Sequence, residues 1–113
     1  MTADLTWLDA VGHAELVASG KASPRELVDA AIARIEKLDG RLNAVVTPLY
    51  EKARAEASGA LPNGSFRGVP FLMKDLGPTM KGRLQEMGSR IMRGNRATAD
   101  TFMTRKMRGA GLN

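Results

Sequence analysis

Apolar residues at helical spacing predict a first helix near the start of the chain. The pattern extends from Leu8 to Ser19, and Thr6 or Asp9 is placed to cap its N-terminus. Gly20 follows directly and can adopt the left-handed conformation that commonly ends a helix. The apolar stripe of this helix is formed by Val11, Ala14, Val17 and Ala18. We therefore expect a short helix that buries one side.

A second helix has a stronger signal at its start. Ser23 can cap it, Pro24 suits its first position, and Glu26 stands three residues after the cap, which is the spacing of a capping box. Its predicted buried face consists of Leu27, Val28, Ala31, Ile35 and Leu38. Gly40 is expected to end this helix. Residues 1–40 are thus predicted to form a helical pair.

Two short apolar runs are then predicted to be strands, from Leu42 to Val46 and from Val69 to Met73. Thr47-Pro48 favours a helix between them, with four residues expected to face the sheet: Leu49, Tyr50, Ala53 and Ala57. If the strands are parallel neighbours, the crossover should be right-handed, because strand twist packs the helix back in only that way. The predicted fold class is therefore α/β, with helices flanking short strands of a mixed sheet that starts within residues 41–113.

Less regular structure is predicted around the second strand. Ser58 to Arg67 contains glycine, proline and asparagine and is expected to be a flexible loop that tolerates change. After Asp75 the chain is again rich in glycine, and its methionines are expected to fill gaps in the core. A last helix is predicted to be capped by Thr98 or Asp100 and to end at Gly111. One side of it is apolar: Phe102, Met103, Met107 and Ala110.

The composition limits both the size of the fold and its chemistry. The 113 residues allow one domain at most, with a modest core. Without cysteine the chain has no disulfide, thiol nucleophile or cysteine-based metal site, which fits a reducing cytoplasm, and we predict no metal or cofactor. No apolar run is long enough to span a bilayer, so no membrane partner is expected. The single histidine, His13, is interpreted as an exposed or capping side chain, since no partner for catalysis is evident.

Positive charge is concentrated in the second half of the chain. Residues 1–66 contain seven lysine or arginine residues and nine acidic ones, whereas residues 67–113 contain ten and three. One interpretation is a nucleic-acid patch made of Lys81, Arg83, Arg90, Arg93, Arg96, Arg105, Lys106 and Arg108. Few aromatic residues are interleaved for base stacking, and no nucleic-acid-binding motif is recognised. We therefore favour an ordinary basic surface, whose acidic complement lies in other sequence or in solvent.

Lys74 is the main candidate for chemistry. The apolar run after Gly68 delivers it to the carboxyl end of the predicted strand, and ligands of open α/β sheets bind beyond that edge. The alternative interpretation is a lysine that merely ends a strand at the surface. To act as a general base near neutral pH a lysine must lose its proton, which burial in a low-dielectric site favours. Asp75 should project to the opposite face of the strand, away from the amine.

The stretch Gly-Val-Pro-Phe-Leu-Met-Lys-Asp-Leu at residues 68–76 resembles the lysine-bearing strand of the amidase signature family. Members of that family hydrolyse amides with a triad of serine, cis-serine and lysine. Upstream, residues 23–28 and 42–46 are similar to the family's second helix and first strand. Downstream, Gly88-Ser89 and residues 100–112 are similar to its glycine-serine turn and the helix that follows.

This resemblance implies that Lys74 is the lysine of the triad and that the substrate is a small-molecule amide. Within the family, residues 42–54 look closest to enzymes of the 6-aminohexanoate cyclic-dimer hydrolase type. No stretch of these 113 residues corresponds to the glycine-rich segment that holds the family's catalytic serines, because the serines occur singly: Ser19, Ser23, Ser58, Ser65 and Ser89.

The chain is accordingly expected to be the N-terminal fragment of a single amidase domain, inactive by itself and completed by the remainder of the amidase chain. A homodimer is left open. One alternative is an amidotransferase subunit that acts on a misacylated tRNA, which would give the basic half a use. Two others are a small basic nucleic-acid-binding module and a non-catalytic interaction fragment.

Overall fold

The structure is a computed structural model that describes residues 4–113, and its regular elements are helices. In chain order they are a 3₁₀ helix at Leu5–Trp7 and four α-helices: α1 (Ala10–Ala18), α2 (Pro24–Leu42), α3 (Tyr50–Ala57) and α4 (Phe102–Gly109). Within the described residues, Leu84 and Arg96 form an isolated antiparallel bridge. None of the helices in this part of the chain is long and apolar enough to cross a membrane.

Helix α1 is capped by Asp9, one of the two residues predicted for that role. The Asp9 carboxylate accepts a hydrogen bond from the Gly12 amide at 2.8 Å, which satisfies a donor that the first helical turn leaves free. Thr6, the other candidate, lies in the preceding 3₁₀ helix. Gly20 has a φ of +71°, so the predicted left-handed end of this helix is confirmed.

The capping box predicted at the start of α2 is also present. Ser23 Oγ accepts from the Glu26 amide at 3.2 Å, and the Ser23 amide donates to Glu26 Oε2 at 2.7 Å. The pKa of the Glu26 carboxyl is lowered by the bond from the Ser23 amide and by a second one from the Ser23 hydroxyl to Oε2 at 2.9 Å, because both favour the charged form. The start of α2 is therefore determined by local sequence.

The predicted end of α2 at Gly40 is wrong, since the helix continues to Leu42. Asn43 has a φ of +51° and takes the left-handed position that glycine was expected to fill. Asp39 Oδ1 then accepts from the next two amides, those of Ala44 and Val45, at 2.7 and 3.1 Å. These contacts stabilise an ending beyond Gly40, and a glycine within a helix costs only about 1 kcal/mol.

Helix α2 supplies buried residues to both core clusters of the described chain. Leu27 packs with Leu5 and Ala22, below the 3₁₀ helix and α1. Val28 and Ile32 pack with Ala57 of α3. The predicted buried face is thereby corrected at two positions: Ile32, which it left out, is buried, and Leu38, which it included, is 46% exposed. Burying one such aliphatic side chain contributes about 1.5–3 kcal/mol, so α2 organises the fold.

Helix α3 packs against α2, although its apolar residues were expected to face a sheet. Tyr50 and Ala53 contact the second of these clusters. Arg54 Nε donates to Asp29 Oδ1 at 2.9 Å, which adds an ion pair between the two helices. Helix α3 also begins later than Thr47-Pro48, and its N-terminus has no side-chain cap.

Neither predicted strand is a regular strand within residues 4–113. The segment 42–46 instead contains the end of α2 and the turn around Asp39. Val69 and Phe71 do pair with Asn113, in the alternating pattern of a parallel ladder: the Asn113 amide donates to Val69 O at 2.9 Å, and the Phe71 amide donates to Asn113 O at 2.7 Å. A regular strand needs a neighbouring strand along its length. Within residues 4–113 the segment 69–73 has such a neighbour only at Asn113, so the pairing stays this short.

The loop predicted to tolerate change is fixed at one point by a close backbone crossing. A Cβ atom at Gly64 would lie 2.4 Å from the carbonyl carbon of Ala110, and one at Gly111 would lie 2.5 Å from Arg67 Cα. Two hydrogen bonds join the same segments: Phe66 N to Ala110 O at 2.8 Å and Gly68 N to Gly111 O at 2.9 Å. Residues 58–67 therefore contain one position that admits only glycine.

Helix α4 is capped by Thr101 and not by Thr98 or Asp100. Thr101 Oγ1 accepts from the Thr104 amide at 3.4 Å and lies 3.0 Å from Thr104 Oγ1, and Thr104 is fully buried. The predicted apolar side is open instead, since Phe102 is 67% exposed. The hydrogen bond between the two hydroxyls gives the buried Thr104 side chain a partner and helps to fix the start of this helix. Gly111, with a φ of +93°, ends the helical segment as predicted.

Candidate functional site

Lys74 follows the paired segment Val69–Phe71 and is exposed. Its ammonium takes part in no ion pair and no hydrogen bond to a serine within residues 4–113. Lys74 was predicted to stand at the carboxyl end of a strand, but the backbone pairing ends at Phe71 and residues 69–74 form no regular strand. Low-dielectric surroundings for the amine are not supplied by the described residues.

Asp75 is partly buried, and its carboxylate, unlike the ammonium of the neighbouring lysine, is hydrogen-bonded to the backbone. Oδ1 accepts from the Glu86 amide at 3.2 Å, and Oδ2 accepts from the Met87 amide at 3.1 Å. Asp75 forms no ion pair with Lys74, and residues 73–76 are not a strand, so the alternation of faces expected for a strand does not apply to this pair. Sequence analysis missed these bonds because the two amides are 11 and 12 residues away, and no local signal marks contacts at that distance.

The two amides belong to residues 84–96, the glycine-serine loop, which donates both bonds. Met87 has a φ of +54° and Gly88 a φ of +67°, so two consecutive residues are left-handed. Met87 carries a Cβ atom, which makes this conformation strained without support. Glu86 Oε2 accepts from the Gly94 amide at 2.7 Å, and Leu84 pairs with Arg96, which together close the loop.

Three apolar residues close to Lys74 in the sequence are open to solvent. Phe71, Leu72 and Leu76 are 47%, 64% and 55% exposed. Large apolar side chains left open to solvent in this way are ones that another part of a protein or a ligand can cover. The segment that carries Lys74 therefore offers apolar surface for such a cover.

A separate pocket of about 220 Å³ collects part of the basic surface. It is lined by Lys52, Met80, Lys81, Arg83, Asp100 and Arg108. Asp100 Oδ1 accepts from the Lys81 amide at 2.7 Å, and Glu56 pairs with both Lys52 and Arg108. Three of the eight residues considered for a nucleic-acid patch thus lie together.

His13 has a structural contact. Its Nε2 lies 3.0 Å from the carbonyl oxygen of Leu5, which joins α1 to the 3₁₀ helix and agrees with the predicted capping role. Within residues 4–113 no three histidine, cysteine or acidic side chains are grouped to hold a metal.

Comparison with known proteins gives a consistent result. The family model described as Amidase matches residues 26–113, which include Lys74. The chain is 42% identical over 108 residues to the 6-aminohexanoate-cyclic-dimer hydrolase of Pseudomonas sp. (strain NK87), covering 94% of this chain and 22% of that protein. It is 37% identical over 99 residues to a glutamyl-tRNA(Gln) amidotransferase subunit of Halorhodospira halophila (strain DSM 244 / SL1), covering 82% of this chain and 20% of the relative.

The solved structure of 6-aminohexanoate cyclic dimer hydrolase superposes on this chain with a TM-score of 0.88 and 42% identity, covering 98% of this chain and 23% of the other. This likeness agrees with the predicted α/β class, even though the regular elements of residues 4–113 are helices. The chain spans less than a quarter of the length of these relatives.

Proposed function

This chain belongs to the amidase family, and from that premise we propose that the complete protein hydrolyses carboxamide bonds with Lys74 as a catalytic base. The observation that carries the proposal is the family match over residues 26–113, which includes the lysine-bearing segment. The 42% identity to a hydrolase of cyclic amides supports the same reaction class. Residues 1–113 then form the N-terminal part of a single amidase domain.

The reaction is acyl transfer to water in two steps. A serine from the remainder of the chain attacks the amide carbonyl, and Lys74 accepts the serine proton through a bridging serine. The carbon–nitrogen bond breaks, the leaving amine takes up that proton, and water hydrolyses the acyl-enzyme. The 113 residues alone are inactive in this scheme, because a lysine without the serines forms no acyl-enzyme.

To act as this base, the Lys74 amine must be shielded from solvent as well as brought next to the two serines. In the proposed complete protein, further chain covers Phe71, Leu72 and Leu76, which are largely exposed in residues 4–113. Because each is already about half buried, covering the rest of each contributes roughly half of the 1.5–3 kcal/mol of a full burial. A cover that also removes solvent from the Lys74 amine favours its neutral form.

The proposed substrates are small aliphatic amides, cyclic or linear, hydrolysed in the cytoplasm. Support for cyclic amides comes from the name of the 42% identical relative. Support for the compartment is limited to the absence of cysteine from the sequence.

A second candidate function is that of an amidotransferase subunit that acts on misacylated tRNA. It is favoured by the pocket lined with Lys52, Lys81, Arg83 and Arg108 and by the 37% identity to such a subunit. Binding of one tRNA in preference to others at physiological salt would support it. Binding that is weak and declines steeply with salt, as counterion release requires, would leave the hydrolase proposal favoured.

The proposal is tested by single-turnover acylation in the complete protein. We expect Lys74→Arg and Lys74→Ala to slow acylation by about 10²–10⁴-fold, since general bases contribute on that order and arginine does not release its proton in this range. Lys106→Ala is a matched control, because Lys106 is an exposed lysine on α4 that contacts the Phe102 ring. Near-normal acylation in both Lys74 variants would return Lys74 to the role of a surface lysine.

A further inference from the structure

We propose that Asp75 is a positioning residue that sets the place of Lys74 relative to the glycine-serine loop, an inference that rests on the proposed function of Lys74. The two residues are adjacent in sequence, so their Cα atoms are about 3.8 Å apart. Anchoring the Asp75 carboxylate therefore also fixes the backbone from which the Lys74 side chain extends.

The anchor consists of two hydrogen bonds, one to each oxygen of the Asp75 carboxylate. Each carboxylate oxygen accepts one amide, from Glu86 at 3.2 Å and from Met87 at 3.1 Å. Within residues 4–113 these are the only hydrogen bonds that join the segment 69–76 to the glycine-serine loop. The relation between lysine and loop thus depends on one carboxylate.

The glycine-serine loop presents two amide donors to this carboxylate. The amides of Glu86 and Met87 are consecutive and donate to the two oxygens of one carboxylate, and a charged acceptor makes the stronger kind of hydrogen bond. On its far side the loop is closed by the Glu86 to Gly94 bond at 2.7 Å. The Asp75 carboxylate thus joins the backbone next to Lys74 to the start of the loop. The Glu86 carboxylate joins the start of the loop to Gly94, on the far side of the Gly88-Ser89 turn.

Asp75 acts through position and not through proton transfer. Both carboxylate oxygens are occupied by backbone donors, and Asp75 forms no ion pair with Lys74. Loss of the anchor should move the base relative to the reacting groups, and a displacement of about 1 Å can cost on the order of 10²-fold in rate. KM should change little, because both carboxylate oxygens already bind backbone amides and the proposed role of Asp75 is to position the base.

The test combines kinetics with amide hydrogen exchange in the complete protein carrying Asp75→Asn or Asp75→Ala. We expect Asp75→Ala to lower kcat about 10–100-fold with KM within about twofold, and to speed exchange at Glu86 and Met87. Asp75→Asn keeps one carbonyl acceptor and should have intermediate values for both. Since it is isosteric, it also remains informative if Asp75→Ala does not fold.

Asp39→Asn is the matched control, because Asp39 also accepts two backbone amides, those of Ala44 at 2.7 Å and Val45 at 3.1 Å. We expect faster exchange at Ala44 and Val45 with unchanged kcat. Faster exchange at Glu86 and Met87 with unchanged kcat, or a kcat loss equal to that of Asp39→Asn, would overturn the positioning role. Unchanged exchange in both Asp75 variants would overturn the anchor itself. If the unaltered protein hydrolyses no amide, the proposed function fails, and the exchange result still decides whether the anchor exists.

Discussion

Gly64 and Gly40 are chemically identical but have opposite surroundings. A Cβ atom at Gly64 would meet the backbone of Ala110 at 2.4 Å, which no side-chain movement can relieve. At Gly40, within α2, nothing lies within 4 Å of the same atom. Sequence analysis interpreted both glycines by conformation, as a loop residue and a helix stop, whereas the structure requires one for space and leaves the other replaceable.

We expect Gly64→Ala to lower the free energy of unfolding by about 1–3 kcal/mol, the usual cost of overpacking. Gly40→Ala is the control and should raise it by about 0.5–1 kcal/mol, because alanine loses less entropy in a helix. Chemical denaturation of both variants measures these changes. Equal stability of the two would mean that the crossing at Gly64 opens readily.

At the scale of elements, helix starts were predictable and helix partners were not. Ser23 and Asp9 cap their helices with bonds to amides three residues away, a distance that sequence patterns encode. The packing of α3 on α2, and the pairing of Val69 with Asn113, join residues far apart in the chain, so an apolar run alone does not reveal them. The same holds for the candidate site. Lys74 was predicted from its motif, whereas the contacts of Asp75 could not be, because they involve amides 11 and 12 residues away.

The contact between α2 and α3 should depend on pH through Asp29. Hydrogen bonds from Arg54 first, and then from Arg25, hold the pKa of the Asp29 carboxyl below its ordinary value. A lowered pKa in the folded state means that this stability is fully present above the unfolded aspartate value of about 3.9 and is lost as the pH falls through the folded value.

We therefore expect Asp29→Asn to lower Tm slightly at pH 7, and the difference from the unaltered chain to shrink as the pH falls through this window. Thermal unfolding monitored by circular dichroism between pH 7 and pH 3 measures it. Because the pair is at the surface, 0.5 M salt should reduce the difference as well. A difference in Tm that is independent of pH would contradict an electrostatic role.

At the scale of the whole molecule, the described chain leaves much apolar surface open. Trp7 is 86% exposed and Ile91 is 93% exposed, and Phe71, Leu72 and Leu76, close to Lys74 in the sequence, are also exposed. Isolated exposed apolar residues are normal, but large patches favour association. This agrees with a chain that spans only 22% of its relative's length.

We expect residues 1–113, when purified, to associate as their concentration increases. Sedimentation velocity across a concentration series measures this association, and replacing Leu72 and Leu76 by serine should reduce it, since both lie in the exposed patch. Exposed Ala33→Ser on α2 is a matched control that leaves the patch intact. A monomer at all concentrations with a sharp two-state thermal transition would contradict the expectation.

The pairing of Val69 and Phe71 with Asn113 also has a consequence during synthesis on the ribosome. Asn113 is made 44 residues after Val69, so the parallel ladder has no second half until that later segment has left the exit tunnel. At about 5–20 residues per second, the delay is on the order of 2–9 s. For that time the apolar run from Val69 to Leu72 is an unpaired nascent segment, which is the kind of transiently exposed surface that chaperones protect from aggregation.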